Sequence, residues 1–318
     1  MTAPSAAAEI LILLPVYNGA AFLPHQLDSL LAQTWTAWRL ICRDDGSSDT
    51  SAAVLADYQA RYPDKVTLLC DQDGNLGPAG SFSRLMEHAL AVADGAPQGH
   101  AIYVALADQD DSWFAEKLEV CLAALKAQEQ QQEQQQPGLP VLVHSDLRVV
   151  GPQGQLIAPS FTAYQGLDPS RTDLESQLAI NTVTGCTALM NLALLRRALP
   201  VPTDAMMHDW WLALVASAFG KLVYIDQPLV NYRQHGGNTI GARPHERLRW
   251  SWRLLQRLFR RRDPEAEALI AARGRQAAAF CSRYGEHLTP RQQRRARTVQ
   301  AMPRWSLVRQ RLWFHLMR

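Results

Sequence analysis

Four short apolar runs, each followed by a polar turn and a helical stretch, fill the first 126 residues, and this alternation leaves the chain few folds to choose from. The runs lie at residues 9–14, 39–43, 66–70 and 101–107. Short, continuous apolar runs mark strands buried on both faces. The helices between them end near Gln33, Arg61, Ala91 and Lys126, the last beginning near Trp113. Strand and helix alternating at this spacing predict right-handed crossovers and a mostly parallel sheet.

In open sheets of this kind ligands bind beyond the carboxyl ends of the strands, so the loops there are where chemistry is expected. Two of them are acidic. The second run ends in Asp44-Asp45-Gly46-Ser47-Ser48-Asp49 and the fourth in Asp108-Gln109-Asp110-Asp111. Three carboxylates within four residues repel one another unless a cation neutralises them, and Mg2+ or Mn2+ is the natural partner of hard oxygen ligands. Asp is also favoured in turns and at helix N-caps. The residues alone therefore leave two readings, a metal site or a solvated turn that caps the next helix.

After Lys126 the pattern loosens. Residues 128–136 are a Gln-rich low-complexity run with no assigned role. Strands are expected at 141–143, 185–190 and 222–225, a turn at Gly151-Pro152-Gln153-Gly154, and a helix over 209–219. Five cysteines without a C-x-x-C pair suggest reduced thiols, neither a disulfide framework nor a zinc knuckle. No basic residue precedes Arg39, which argues against a secretory signal, and the longest later apolar stretch, 210–220, is far shorter than the roughly 20 residues a membrane-spanning helix needs.

Four motifs in order carry a resemblance. Pro15-Val16-Tyr17-Asn18, the acidic loop 44–49, Gly74-Asn75-Leu76-Gly77, and Asp108-Gln109-Asp110-Asp111-Ser112-Trp113 with Lys117-Leu118 resemble the family 2 glycosyltransferases of GT-A fold. The resemblance covers residues 9–240. Val183-Thr184-Gly185-Cys186, His208-Asp209-Trp210-Trp211 and the run 232–238 are similar to the rhamnosyltransferase-type branch that builds bacterial surface polysaccharide. Two departures are visible: Ala115 stands where the family often has Pro, and His208 precedes Asp209 where many members have Glu.

The resemblance implies a metal-dependent, inverting transfer of a sugar from a nucleoside diphosphate. The expected donor is dTDP-L-rhamnose, with a UDP-hexose or UDP-GlcNAc as alternatives. Pro15 and Tyr17 would form the shelf for the base, Asp45 would accept the imide N–H of uracil or thymine, and Asn75 would line the same nucleotide site. Asp108 would lie by the ribose and the metal, Asp110 on the metal, and Asp111 would cap the next helix. Asp209 is the expected general base, with His208 orienting it or contacting the acceptor. Gly185 and Cys186 would form the acceptor loop, and Trp210 and Trp211 would offer a stacking face to the acceptor sugar, one of the pair facing the core. His235, before the Gly236-Gly237 hinge, would serve the metal and close over the diphosphate, while Arg233 would pair with a phosphate or a core acid.

The net charge of +2 hides an asymmetry: residues 243–318 hold 19 Arg, no Lys and five acids, so the preceding 242 are acidic. On a helical wheel over 248–262, Leu248, Trp252, Leu255, Leu258 and Phe259 share one face opposite Arg249, Arg253, Arg257 and Arg260. That pattern suits a membrane-surface helix, and a helix packed on the preceding domain is the alternative. The 303–318 segment repeats the mixture of Trp and Arg. The expected architecture is α/β: a GT-A, Rossmann-like, mostly parallel sheet flanked by helices over 1–242, and an Arg-rich helical appendage over 243–318. Its expected partners are a nucleotide-diphosphate sugar, a glycan or lipid-linked glycan acceptor and an anionic membrane surface, with no nucleic acid. The expected place is the cytoplasm, peripheral on the inner face of the plasma membrane. A non-catalytic scaffold would not need both Asp110 and Asp209, and a nucleotidyltransferase would need a cation that the loop from Pro15 to Gly19 lacks.

Overall fold

The first apolar run becomes β1 (Ala8–Val16), which sits inside the sheet because both its faces are apolar. Leu11 and Leu13 enter one core and Ile10, Ile12 and Leu14 the other, the alternation of a pleated strand. β1 pairs in parallel with β2 (Trp38–Asp44), β2 with β3 (Val66–Leu68), and β1 on its other side with β4 (Ala101–Leu106). Parallel neighbours require crossovers, supplied by α1 (Leu23–Leu31), α2 (Ser51–Arg61) and α3 (Gly77–Asp94). These elements belong to a computed structural model that describes residues 8–132, 137–236, 264–306, 308–310 and 313.

The second half completes the sheet differently. The chain runs through β5 (Ser112–Trp113), α4 (Lys117–Gln132), β6 (Val141–Val150), β7 (Leu156–Ala158), α5 (Phe161–Gln165) and α6 (Leu174–Ala179). It continues through β8 (Leu189–Asn191), α7 (Leu192–Ala198), α8 (His208–Phe219) and β9 (Lys221–Arg233). Among the described residues the sheet order is β3-β2-β1-β4-β8-β6-β9-β5, with β7 on β6. β8 runs antiparallel to β4 and to β6, whereas β6 and β9 are parallel.

Four expectations change here. β6 and β9 are far longer than 141–143 and 222–225, because polar residues inside β6 find partners: Asp146 accepts from Leu147 N at 2.8 Å, Ser160 Oγ at 2.5 Å and Thr162 Oγ1 at 3.1 Å. Only 189–191 of the expected strand at 185–190 is extended; Gly185–Thr187 turns as a 3-10 helix. Helix α4 starts at Lys117, not near Trp113, since Ser112 and Trp113 pair with Asn231 and Val230 of β9. Asp111 therefore caps no helix.

From Pro264 the chain forms two helices, Pro264–Tyr284 and Pro290–Ala301. Phe280 and Tyr284 pack on Trp211 with ring centroids 5.6 and 5.9 Å away. Arg283 donates to the carbonyls of Ala198, Leu199 and Pro200. Arg291 and Arg295 reach Glu175 at 2.6 and 3.1 Å. This part of the Arg-rich appendage thus shares the core of the sheet domain. The amphipathic segment 248–262, Gly237 and Asn238, and residues 314–318 lie outside the described residues, as does the boundary at 242. Among the described residues no helix is long and apolar enough to cross a membrane.

Trp211 links the two parts and is fully buried. Trp211→Ala should cost about 3–5 kcal/mol of stability, the usual loss for a large aromatic removed from a core. A urea titration followed by circular dichroism reads that loss directly.

Candidate active site

The loops beyond β1, β2 and β4 are tied together by side chains. Gln109 clamps the backbone of Tyr17 twice, accepting from Tyr17 N at 2.8 Å and donating from Nε2 to Tyr17 O at 3.0 Å. Asn18, at φ 49, accepts from Ser48 N at 2.8 Å. Asp49 serves the first loop too, accepting from Ala20 N at 3.1 Å. Tyr17 is held at the rim with half its surface exposed (50%), available as a stacking face, and Pro15 lies just before it in β1.

Asp45 is buried beyond β2. Its Oδ1 accepts from Leu76 N at 2.8 Å and its Oδ2 from Gly77 N at 2.9 Å, at the start of α3, where the helix dipole favours an anion. Arg43, 1% exposed, also pairs with Asp45 and binds Asp71 through Nε at 2.8 Å, Ser81 Oγ at 2.9 Å and Gly74 O at 2.7 Å. Asn75 donates to Asp45 O at 2.9 Å. A carboxylate offers about four acceptor positions. The three bonds seen leave one of them open on Oδ2.

The acidic loop after β4 divides its work. Asp110 Oδ2 lies 2.8 Å from His235 Nε2, joining the fourth strand loop to the end of β9. The His235 ring packs beside Phe22 at 4.7 Å. Asp111 is buried and accepts from Arg233 N at 3.0 Å, while Arg233 donates to Asp110 O at 3.0 Å and Pro152 O at 2.9 Å. Asp108, Asp111 and Cys186 bring their side-chain donor atoms within 4.8 Å of one another. Burial, then repulsion from Asp110 and Asp209, push the Asp108 carboxyl up to about 7. Asp111 is raised well above the usual range, mainly by burial and then by Asp108. The carboxylates of Asp108 and Asp110, close enough that Asp110 raises the Asp108 carboxyl, are oxygen donors of the kind that suit Mg2+ or Mn2+.

Asp209 comes from the first turn of α8. Its Oδ2 accepts from Gly185 N at 3.0 Å and its Oδ1 from Trp210 N at 2.6 Å and Asn181 Nδ2 at 3.3 Å. Burial raises its carboxyl to about 6, and those three hydrogen bonds restrain the rise. A Cβ at Gly185 would stand 3.0 Å from His208 Nε2, so a larger residue there would require the imidazole to shift by a few tenths of an ångström.

Four expected acceptor residues are corrected. Trp211 lies in the core against Phe280, and Trp210 is buried with Nε1 donating to Gln177 O at 2.6 Å, so neither ring offers a face to a sugar. Cys186 is fully buried, its thiol raised well above its normal range by burial and then by Asp111 and Asp108. His208 stacks on Phe82 at 3.9 Å, and burial lowers its pKa to about 3, so it is a neutral support behind Gly185 and not an acceptor contact. Gln109, Arg43 and Asn181 were given no role from the sequence. A charge inside the run Leu40-Ile41-Cys42-Arg43 was a usable signal for Arg43, since a buried cation must find acids; Asn181 left none.

A mixed sheet whose first four strands are parallel, with a carboxylate–imidazole pair at its strand ends and a second, separate carboxylate at the start of α8, defines an α/β protein of GT-A type. The crystal structure of S. aureus TarS residues 1–349 in complex with UDP shares this fold at a TM-score of 0.52 and 13% identity, over 96% of this chain and 90% of that one. Residues 11–137 match the Glycosyl transferase family 2 model. The dTDP-rhamnosyl transferase RfbG of Shigella flexneri is 23% identical over 236 residues, 71% of this chain and 73% of its own length. EpsE of Bacillus subtilis (strain 168) is 28% identical over 152 residues, 48% of this chain, and the match spans about half (49%) of EpsE.

Proposed function

We propose that the protein is an inverting glycosyltransferase that moves a hexose, L-rhamnose in the leading case, from a nucleoside-diphosphate donor to a hydroxyl of a glycan or lipid-linked glycan. The observation that carries this reading is the division of the acids. Asp110 faces His235, whereas Asp209 stands apart on Gly185 N and Asn181, with its carboxyl raised to about 6. A carboxylate so raised and so held suits a general base near neutral pH. Asp209 takes the proton of the acceptor hydroxyl as that oxygen attacks the anomeric carbon, and the bond between that carbon and the diphosphate oxygen breaks with its electron pair leaving on the diphosphate.

Asp110 and His235 would hold the metal, with Asp108 at the ribose and the metal's edge; Mg2+ or Mn2+ would supply Lewis-acid relief of charge on the departing diphosphate. Tyr17 and Pro15 carry the base, and Asp45 with Asn75 lines that same end. The rhamnose donor is supported by the name and the long overlap of RfbG. A UDP-glucose donor is the alternative, as in the Escherichia coli UDP-Glc:alpha-D-GlcNAc-diphosphoundecaprenol beta-1,3-glucosyltransferase WfgD, 29% identical over 114 residues, 36% of this chain and 40% of its length. The Arg-rich 243–318 region contacts an anionic membrane from the cytoplasmic side, where lipid-linked acceptors lie.

Release of dTDP or UDP from a donor panel, with and without acceptor, tests the reading. Excess EDTA should lower that release by roughly a hundredfold or more, since charge relief by a metal is worth several kcal/mol. Undiminished turnover in EDTA would remove the metal role of Asp110 and His235.

A further inference from the structure

The C-terminal helix Pro290–Ala301 divides its arginines by face. Arg291 and Arg295 pair with Glu175 at 2.6 and 3.1 Å, Arg291 from a largely exposed position. Arg294 and Arg297 turn outward, and with Thr298, Trp305 and Arg309 they line an open groove of about 430 Å3. The far wall is built, not loose: Gln310, buried, donates to Met302 O at 2.8 Å and Trp305 O at 3.2 Å, and the Arg309 guanidinium lies 4.0 Å from the Trp305 ring. No Asp or Glu follows Glu286 in the sequence. Among the described residues, Arg294, Arg297 and Arg309 have no carboxylate partner.

We infer that this groove is a binding site for the phosphate of an anionic lipid headgroup. Three guanidinium forks converging on one groove match phosphate oxygens, which they can meet in pairs. An indole at the groove edge, apolar in its body and polar at its N–H, is the side chain that settles where lipid meets water. Nucleic acid is the poorer fit, because single strands need a row of stacking rings along a basic track, and the groove has one indole. Free phosphate is held best in an enclosed site, and this one is open. The inference rests on the membrane reading only for the source of the phosphate, and it moves part of the contact from the 248–262 segment to a defined groove.

Co-sedimentation of the full chain with vesicles tests it. The chain should bind vesicles of phosphatidylcholine mixed with phosphatidylglycerol and ignore pure phosphatidylcholine. The combined variant Arg294→Gln, Arg297→Gln, Arg309→Gln should bind at least about tenfold more weakly. The charge-matched variant Arg61→Gln, Arg171→Gln, Arg196→Gln should bind as the parent does; these arginines are exposed and away from the groove. Unchanged binding in the groove variant, or equal loss in both variants, overturns the groove while leaving a general membrane contact in place. Groove-dependent binding of inorganic phosphate without vesicle binding overturns the lipid source, and preference for a single-stranded oligonucleotide over the vesicles overturns it as well. A parent chain indifferent to phosphatidylglycerol overturns both the groove and the membrane reading, and sugar transfer, assayed separately, stands or falls on its own.

Discussion

Asp209→Asn should lower transfer by about a hundredfold to ten-thousandfold while leaving donor affinity unchanged, the range typical for loss of a positioned general base. The amide keeps the shape and can still accept from Gly185 N at the 3.0 Å position, so folding should survive. What disappears is the ability to take a proton. The parent enzyme should show the same dependence on pH. Its base must be deprotonated to act, so with a carboxyl near 6 the rate should be flat above that value and fall below it by about tenfold per unit. The Asp209→Asn variant should lose that acid limb. A variant with normal turnover, or with the same acid limb, would assign the base elsewhere.

Arg43→Met should destabilise the fold as strongly as loss of the Trp211 ring. The guanidinium is buried against Asp45, Asp71, Ser81 and the Gly74 carbonyl, and Asp71 is held below the usual carboxylate range chiefly by its hydrogen bonds to Arg43. Removing it strands the buried Asp45 without a counter-charge, which costs about 3–5 kcal/mol, while Asp71 keeps Arg84 at 3.6 Å. The loop that Arg43 holds also supplies Leu76 N and Gly77 N to Asp45, so nucleotide affinity should fall with stability. Chemical denaturation and nucleotide titration measure the two losses. Asp71→Asn removes one of the acids while keeping Asp45 paired, and should be milder in both.

The sheet was legible where its strands are uniformly apolar. β1 and β4 lie at the expected places because their interiors are apolar, and β2 does so although it ends in Arg43, since Asp45 and Asp71 pair with that charge. β6 escaped the pattern because His144, Ser145 and Asp146 lie inside it, and their burial depends on partners such as Ser160 and Thr162 that no local rule reveals. The site shows the same division. Asp110 and His235, 125 residues apart, were assigned one job from separate motifs and meet at 2.8 Å. Trp210 and Trp211 misled because a tandem indole at a helix start reads as a sugar platform, whereas the core they enter is completed by Phe280 and Tyr284 from the C-terminal helix. Asp111 misled in the opposite way. It was read as a cap from the residues after it, yet its partner, Arg233 N, comes from the far end of β9.

The strand-end loops should bind a nucleoside-diphosphate sugar through the pair at Asp110 and His235. Thermal unfolding in a panel of dTDP- and UDP-sugars with Mg2+ or Mn2+ reads that binding, because a ligand that binds only the folded chain at about a hundred times its Kd adds about 2.7 kcal/mol. The Tm should rise by a few degrees with a pyrimidine diphospho-sugar, and EDTA or Asp110→Asn should abolish the rise. No rise with any diphospho-sugar, or an equal rise with an adenine nucleotide sugar, would contradict it.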